Sequence, residues 1–429
     1  MSQSPLRLGI AGLGTVGVGV VRIVRKHAKL LEARAGRPIE IAAVSARSRD
    51  KDRGVDIAHY AWEDDPVAIA RRDDVDVVVE LMGGSDGPAK ATVETALANG
   101  KHVVTANKAL LAHHGQDLAE AAEASGAVLR FEAAVAGGIP VVKALTEGLA
   151  GNEITRVMGV MNGTCNYILT RMEATHQGYN ALFEEAHKLG YLEADPQLDV
   201  GGIDAGHKLS LLAAIAFGTR VDFDAVELEG IEQIELRDIE EAAEMGYRIK
   251  LLGVAQMTGR GLEQRMSPCL LPAASPLGAL EGGTNMVVIE GDMVEQIVLR
   301  GPGAGEGPTA SAVMGDVIDL ARGFRVATFG QPAATLAKAK PARAVVPAPY
   351  YIRMELQDKP GAMAKVAAML GDAGVSIDRM RQHGHKEPTA PVIFVTHKCA
   401  RSQVDEALER LATNPVVASA PVAIRIEEV

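Results

Sequence analysis

Leu6-Arg7-Leu8-Gly9-Ile10-Ala11-Gly12-Leu13-Gly14-Thr15-Val16-Gly17 decides the first third of the chain. Leu6 to Ala11 is a short apolar strand, the glycine-punctuated turn follows at once, and Val18 to Leu31 reads as a helix. In a strand–GxGxxG–helix unit, Gly12 permits the tight turn and Gly14 lets backbone approach a pyrophosphate. Gly17 lets the helix lie close on the strand, and the helix N-terminus faces the anion. The reading is a Rossmann-type nucleotide-binding fold with Gly12, Gly14, Thr15, Val16 and Gly17 at the cofactor. A glycine-rich turn with no ligand is the plainer alternative, and the flanking strand and helix argue against it.

Further apolar strands follow at βαβ spacing: Pro38 to Val44, Val75 to Leu81, and His102 to Thr105. The second runs out into Ser45-Ala46-Arg47-Ser48-Arg49. A small residue followed by arginine suits the 2′-phosphate of NADP better than the ribose of NAD, which selects Arg47. A solvated basic turn is the competing reading there. Glu80-Leu81-Met82-Gly83-Gly84 ends another strand in glycines, so Gly83 joins the cofactor set. Thr105-Ala106-Asn107-Lys108 ends a third. Ligands of open parallel sheets sit beyond the carboxyl ends of the strands, which puts Lys108 in reach of the nicotinamide end or the substrate, a solvated loop lysine being the plainer alternative.

A second segment carries chemistry. Gly190-Tyr191-Leu192-Glu193-Ala194-Asp195-Pro196 precedes Gly202-Ile203-Asp204-Ala205-Gly206-His207-Lys208. Asp204 and Lys208 are one helical turn apart and share a face with Leu211, Leu212 and Ile215. A solvated ion pair would sit opposite the apolar stripe. This one extends it, so the charges belong at the edge of a core, where they persist only if paired or used.

Composition narrows the class. At 429 residues the chain is too long for one core, so roughly three domains are expected. A 47% hydrophobic share with 23% charged residues is that of a folded globular protein. Forty-four basic against 55 acidic residues give net −11, which argues against nucleic acid and anionic membranes as partners. Cys165, Cys269 and Cys399 have no disulfide or metal-site spacing, and no apolar run is long enough to span a bilayer. With no signal-peptide pattern either, a cytoplasmic location is expected.

Taken together, the motifs resemble homoserine dehydrogenase in its longer form with a carboxy-terminal ACT domain. The matching segments are the glycine turn, Thr105 to Lys108, Glu132-Ala133-Ala134-Val135-Ala136-Gly137-Gly138-Ile139-Pro140, Asn162 to Ile168, Glu193 to Lys208, and Gly303 to Val313. They occur in family order over nearly the whole chain. The resemblance implies reduction of L-aspartate 4-semialdehyde to L-homoserine with NADPH or NADH, on the route to threonine and methionine. By position, Lys208 would be the proton donor, with Asp204 beside it in the catalytic set. Glu193 would bind the substrate's amino group, and Thr164 and Asp199 would contact substrate. Gly305 would lie at the cofactor. The family also holds a monovalent cation, commonly sodium, on backbone carbonyls that here belong to Glu132, Val135, Gly137 and Ile139. Glu306 falls in a loop that in the family reaches over the cofactor. An acid is unfavourable there unless it points away or holds a ribose hydroxyl.

The expected architecture is α/β, in three parts. Residues 1–150 form the Rossmann domain, completed by a helix at 310–323, and 151–309 form an α+β substrate and dimerisation domain. After an extended linker at 331–349, residues 350–429 form a ferredoxin-like βαββαβ unit. Asp358-Lys359-Pro360-Gly361-Ala362-Met363 resembles the ACT signature, which implies amino-acid feedback with threonine as the first candidate effector, a purely structural dimerisation module being the alternative; the family resemblance implies a homodimer or homotetramer. Two other readings stay open: an ACT-bearing hydroxy-acid dehydrogenase, which would need a histidine–carboxylate pair, and a redox-sensing regulator without turnover. His207 is the only histidine close to the acid cluster.

Overall fold

The computed structural model describes residues 4–192, 195–343, 345–382 and 388–429. Its first sheet is parallel throughout. The strands are β1 (Leu6–Ala11), β2 (Ile39–Ser45), β3 (Ala61–Trp62), β4 (Val77–Glu80), β5 (His102–Thr105) and β6 (Leu129–Arg130), in the order β3-β2-β1-β4-β5-β6. Both faces are covered, which explains why these strands read as continuous apolar runs rather than alternating ones. Leu8, Ile10, Val77, Val79 and Val104 face one helical layer, while Ala43, Val78 and Val103 face the other.

The glycine motif feeds directly into a helix, Thr15–Lys26, that begins three residues earlier than the sequence pattern suggests. It also ends earlier. His27 leaves helical geometry, and Ala28–Ala35 forms a separate helix. A helix from far along the chain, Glu306–Ala321, packs beside Thr15–Lys26 and supplies Ala310, Val313, Met314 and Val317 to the same core.

The second sheet contains β7 (Ile154–Val160), β8 (Glu227–Leu228), β9 (Tyr247–Thr258), β10 (Gly261–Pro272), β11 (Thr284–Gly291), β12 (Glu295–Pro302), β13 (Pro341–Ala342), β14 (Tyr350–Gln357), β15 (Ile377–Gln382), β16 (Thr389–Thr396) and β17 (Val422–Ile426). Its main path runs β12-β11-β7-β9-β10-β17-β14-β16-β15, and β8 and β13 pair with β10 off that path. The C-terminal βαββαβ unit therefore continues the central sheet through the parallel β10–β17 pairing, Cys269 beside Arg425 and Leu270 beside Ile426. One carboxylate locks this seam. Glu427 binds Arg156 at 2.5 Å, Arg425 at 2.7 Å, and Arg265.

The proline-rich segment 331–349 is extended, as its composition suggests, but it is tied down along its length. Ala333–Thr335 makes a 3-10 turn, Ala337 bridges to Thr219, β13 pairs with β10, and Ala348 bridges to Cys399. Ala333, Leu336, Ala342 and Ala348 are buried.

Candidate active site

The turn after β1 is built for backbone approach. Gly12 has φ +113°, and a Cβ there would stand 2.6 Å from the Leu81 carbonyl, while one at Gly17 would stand 2.0 Å from the Gly12 carbonyl. Those two glycines serve the fold. A Cβ at Gly14 would meet nothing within 4 Å, so that position is left open toward a ligand. The helix Thr15–Lys26 has no side-chain cap and no acid in its first turn, leaving its N–H groups available to a phosphate.

Two cavities flank this turn. One, of about 460 Å³, is lined by Gly12, Gly14, Ser45, Arg47, Lys51 and Gly83, among others. Arg47 is exposed at its rim. The sequence reading did not weigh Arg53, which also lines this cavity but spends its guanidinium on the carbonyls of Leu13 (3.2 Å), Lys51 (2.8 Å) and Ser48, fixing the loop that carries Arg47. Glu80 was also missed. Buried at the end of β4, it accepts from the Met82 N–H at 2.7 Å and the Thr105 hydroxyl at 2.6 Å, pinning the ends of β4 and β5 together.

The other cavity, of about 630 Å³, lies between the two sheets. Val16, Lys108, Val135, Gly137, Thr164, Asp199, Asp204, Lys208, Asn285 and Gly305 are among its lining residues. Asp204 and Lys208 occupy the first two turns of the helix Ile203–Phe217 and are 6% and 9% exposed. The Lys208 ammonium donates to Asp204 Oδ2 at 2.6 Å and to the Met161 carbonyl at 2.8 Å. The other oxygen, Oδ1, lies 2.9 Å from Lys108 Nζ. One carboxylate therefore holds two lysines that the sequence reading treated separately. Burial alone would raise the Asp204 carboxyl. Lys208 and Lys108 outweigh it and hold the group well below the usual carboxylate range.

Asn162 caps the helix Gly163–Thr175 by accepting from Cys165 N–H at 2.8 Å, and its amide donates to Asp199 at 3.0 Å. Thr164 donates its hydroxyl to the Tyr191 carbonyl at 3.0 Å, so it braces the loop before position 193 while lining the cavity. Glu193 itself lies outside the described residues. Gly305, at φ +111°, opens the helix Glu306–Ala321. Glu306 points away from the cavity to Arg22, 2.5 Å away, which resolves the awkward placement of an acid in this loop.

At the proposed cation loop, Val135 and Gly137 line the cavity, while the Ile139 carbonyl already accepts from Val141 N–H at 2.8 Å. The Glu132 side chain turns inward to the N–H groups of Val142 and Lys143 (2.9 and 2.8 Å). No cluster of three His, Cys, Asp or Glu side chains suited to a metal occurs among the described residues. Any cation here would depend on carbonyl oxygens. His207 packs against Phe223, ring centroids 4.2 Å apart and tilted by 52°, and is not among the cavity's lining residues. Burial, His113 and Lys108 push it down to about 4. Among the described residues that leaves no histidine–carboxylate pair for hydroxy-acid chemistry at this site.

Comparison with known proteins gives the family. Residues 12–132 match the model "Homoserine dehydrogenase, NAD binding domain", 140–318 match "Homoserine dehydrogenase", and 350–415 match "ACT domain". A Neisseria gonorrhoeae homoserine dehydrogenase is 42% identical, with 99% of each chain covered. The chain belongs to the homoserine dehydrogenase family. A Pseudomonas aeruginosa homoserine dehydrogenase is 40% identical over 99% of this chain and all of its own. The crystal structure of a homoserine dehydrogenase from Thiobacillus denitrificans superposes with TM-score 0.94 at 38% identity, covering both chains fully. A hyperthermophilic archaeal homoserine dehydrogenase mutant in complex with NADPH superposes with TM-score 0.64 at 27% identity, over 75% of this chain and 98% of that one. The family membership makes the chain a nicotinamide-dependent oxidoreductase and excludes the non-catalytic regulator. Among the described residues, no helix is long and apolar enough to cross a membrane.

Proposed function

We propose that this enzyme reversibly reduces L-aspartate 4-semialdehyde to L-homoserine in threonine and methionine biosynthesis, with Lys208 as proton donor. One observation carries the reading: the Lys208 ammonium, held by Asp204 and Met161, faces the same cavity as Val16 and Gly305 of the nucleotide side. A bound nicotinamide would supply the hydride. As negative charge develops on the aldehyde oxygen, Lys208 stabilises it and delivers a proton. Asp204 aims that ammonium and Lys108 together. Backbone N–H groups at Gly163 and Thr164 suit the substrate carboxylate, and Glu193 its amine. Arg47 favours NADP. The carbonyls of Glu132, Val135, Gly137 and Ile139 would hold a monovalent cation, sodium by family resemblance.

Mixing the protein with homoserine and NADP and following the reduced cofactor tests the reaction. Lys208→Ala should abolish most turnover while cofactor affinity persists, and normal turnover in that variant would overturn the mechanism. A homodimer or homotetramer with threonine feedback through the ACT unit completes the proposal. Removing residues 350–429 would strip β17 from β10 and expose Arg265, so feedback is better tested by titrating the whole chain with threonine. Asp358→Asn is the comparison, and an absence of inhibition in the unaltered enzyme would end that part.

A further inference from the structure

Asn285 is the second residue of β11 and 2% exposed, and it lines the substrate cavity. β11 runs antiparallel to β7, with Met286 opposite Val160, which brings Asn285 beside Met161 just past the end of β7. Its amide Nδ2 donates to the Met161 carbonyl at 3.0 Å. That is the carbonyl that receives the Lys208 ammonium at 2.8 Å. A carbonyl oxygen has two lone pairs, so these two donors fill it. The direction of the amide is fixed, since only the nitrogen end can serve an acceptor.

The rest of the side chain earns nothing obvious for stability. Asn285 Oδ1 is buried and has no hydrogen-bond partner among the described residues. A buried orphan acceptor is rare and unfavourable, and an apolar residue there would avoid it. The amide is also clamped from above. A Cβ at Gly303 would lie 2.0 Å from Nδ2, so the loop carrying Gly303 and Gly305 rests directly on it. The polar group is retained at a cost, and its one bond goes to the anchor of the reacting lysine.

We propose that Asn285 is a positioning residue that sets the reach of Lys208 by sharing and orienting the Met161 carbonyl. Its part is to hold that carbonyl in place for the lysine rather than to carry out the reaction. Without it, the Met161 carbonyl can swing toward the ammonium, pulling Lys208 back toward Met161 and away from the aldehyde oxygen. The proposal rests on Lys208 being the proton donor.

The test is a double-mutant cycle in the full-length enzyme with Asn285→Ala, Lys208→Met and the pair. Asn285→Ala should lower kcat by about 10–100-fold and leave the KM for NADP within about twofold. In the Lys208→Met background the same change should have almost no further effect. An equal further loss there would mean a general structural role and overturn the proposal. Near-normal turnover of Lys208→Met alone would instead overturn the underlying mechanism, so the two failures are distinguishable. Asn285→Asp provides an independent readout should Asn285→Ala not fold. Only a protonated carboxyl can donate to Met161, so activity relative to the unaltered enzyme should rise as pH falls. A flat ratio across pH would refute the donor role.

Discussion

Replacing Asp204 with asparagine removes one negative charge from between two ammonium groups while keeping the side chain's shape. Asp204 Oδ2 lies 2.6 Å from Lys208 and Oδ1 lies 2.9 Å from Lys108. An asparagine oxygen can accept from one lysine only, and its NH₂ then confronts the other ammonium. Breaking a buried pair by removing one partner costs about 3–5 kcal/mol. The low end applies here, because the Lys108 side chain is 28% exposed and can turn toward water. Catalysis should suffer comparably. Lys208 keeps Met161 as an anchor but loses the group that aims it, so kcat should fall by about 10²–10³, or roughly 3–4 kcal/mol. The KM for NADP should change little. Steady-state oxidation of homoserine, beside thermal unfolding, measures both effects. The pH dependence adds a check. The depressed Asp204 carboxyl contributes stability that is present above the ordinary carboxylate range and lost as pH falls through the lowered folded value. Asp204→Asn should lack that acid-side loss. A variant with kcat within threefold of the unaltered enzyme, which on the rate scale is about 0.7 kcal/mol, would refute the reasoning.

Three further outcomes are expected. His207, pushed down to about 4, stays neutral when folded while the unfolded chain takes up a proton below about 6.5. Stability is therefore lost as pH falls from about 6.5 toward 4, and His207→Phe should spare roughly 2 kcal/mol of it by pH 4.5, read from urea midpoints at several pH values. Equal slopes would contradict this. Arg47→Ala should raise the KM for NADP by about tenfold and leave that for NAD nearly unchanged; parallel changes would remove Arg47 from 2′-phosphate recognition. Glu427→Gln takes from the buried Arg425 its carboxylate and leaves Arg265 with Glu263 alone, and should cost about 3 kcal/mol in thermal or denaturant unfolding. An unchanged midpoint would show that the seam is not held by this charge cluster.

The nucleotide-binding half was legible because its signals are local. β5 falls where the apolar run places it, and β1 is bounded by the glycine that ends it. The pairing of Asp204 with Lys208 was equally local, since the helix period puts positions four apart on one face. The β9–β10 hairpin was not legible. Its twelve-residue strands bury Lys250, Glu263, Gln264 and Arg265, charged and polar residues that erase the expected alternation. Those groups are tolerated because Lys250 meets Asn166 at 2.9 Å and Arg265 meets Glu263 at 3.0 Å as well as Glu427. Nothing near position 250 announces Asn166.

Sequence by itself determined the strands of the nucleotide side, the glycine turn and the residue types at the site. Tertiary structure decided which groups share an atom: Lys108 and Lys208 on one carboxylate, Lys208 and Asn285 on one carbonyl, three arginines on Glu427. It also joined the C-terminal unit to the central sheet rather than leaving it on a tether. The physical reason is range. Backbone conformation and helical or strand period are set by neighbours a few residues apart. A buried charge is satisfied by whatever partner the packed chain brings within about 3 Å, however distant in sequence.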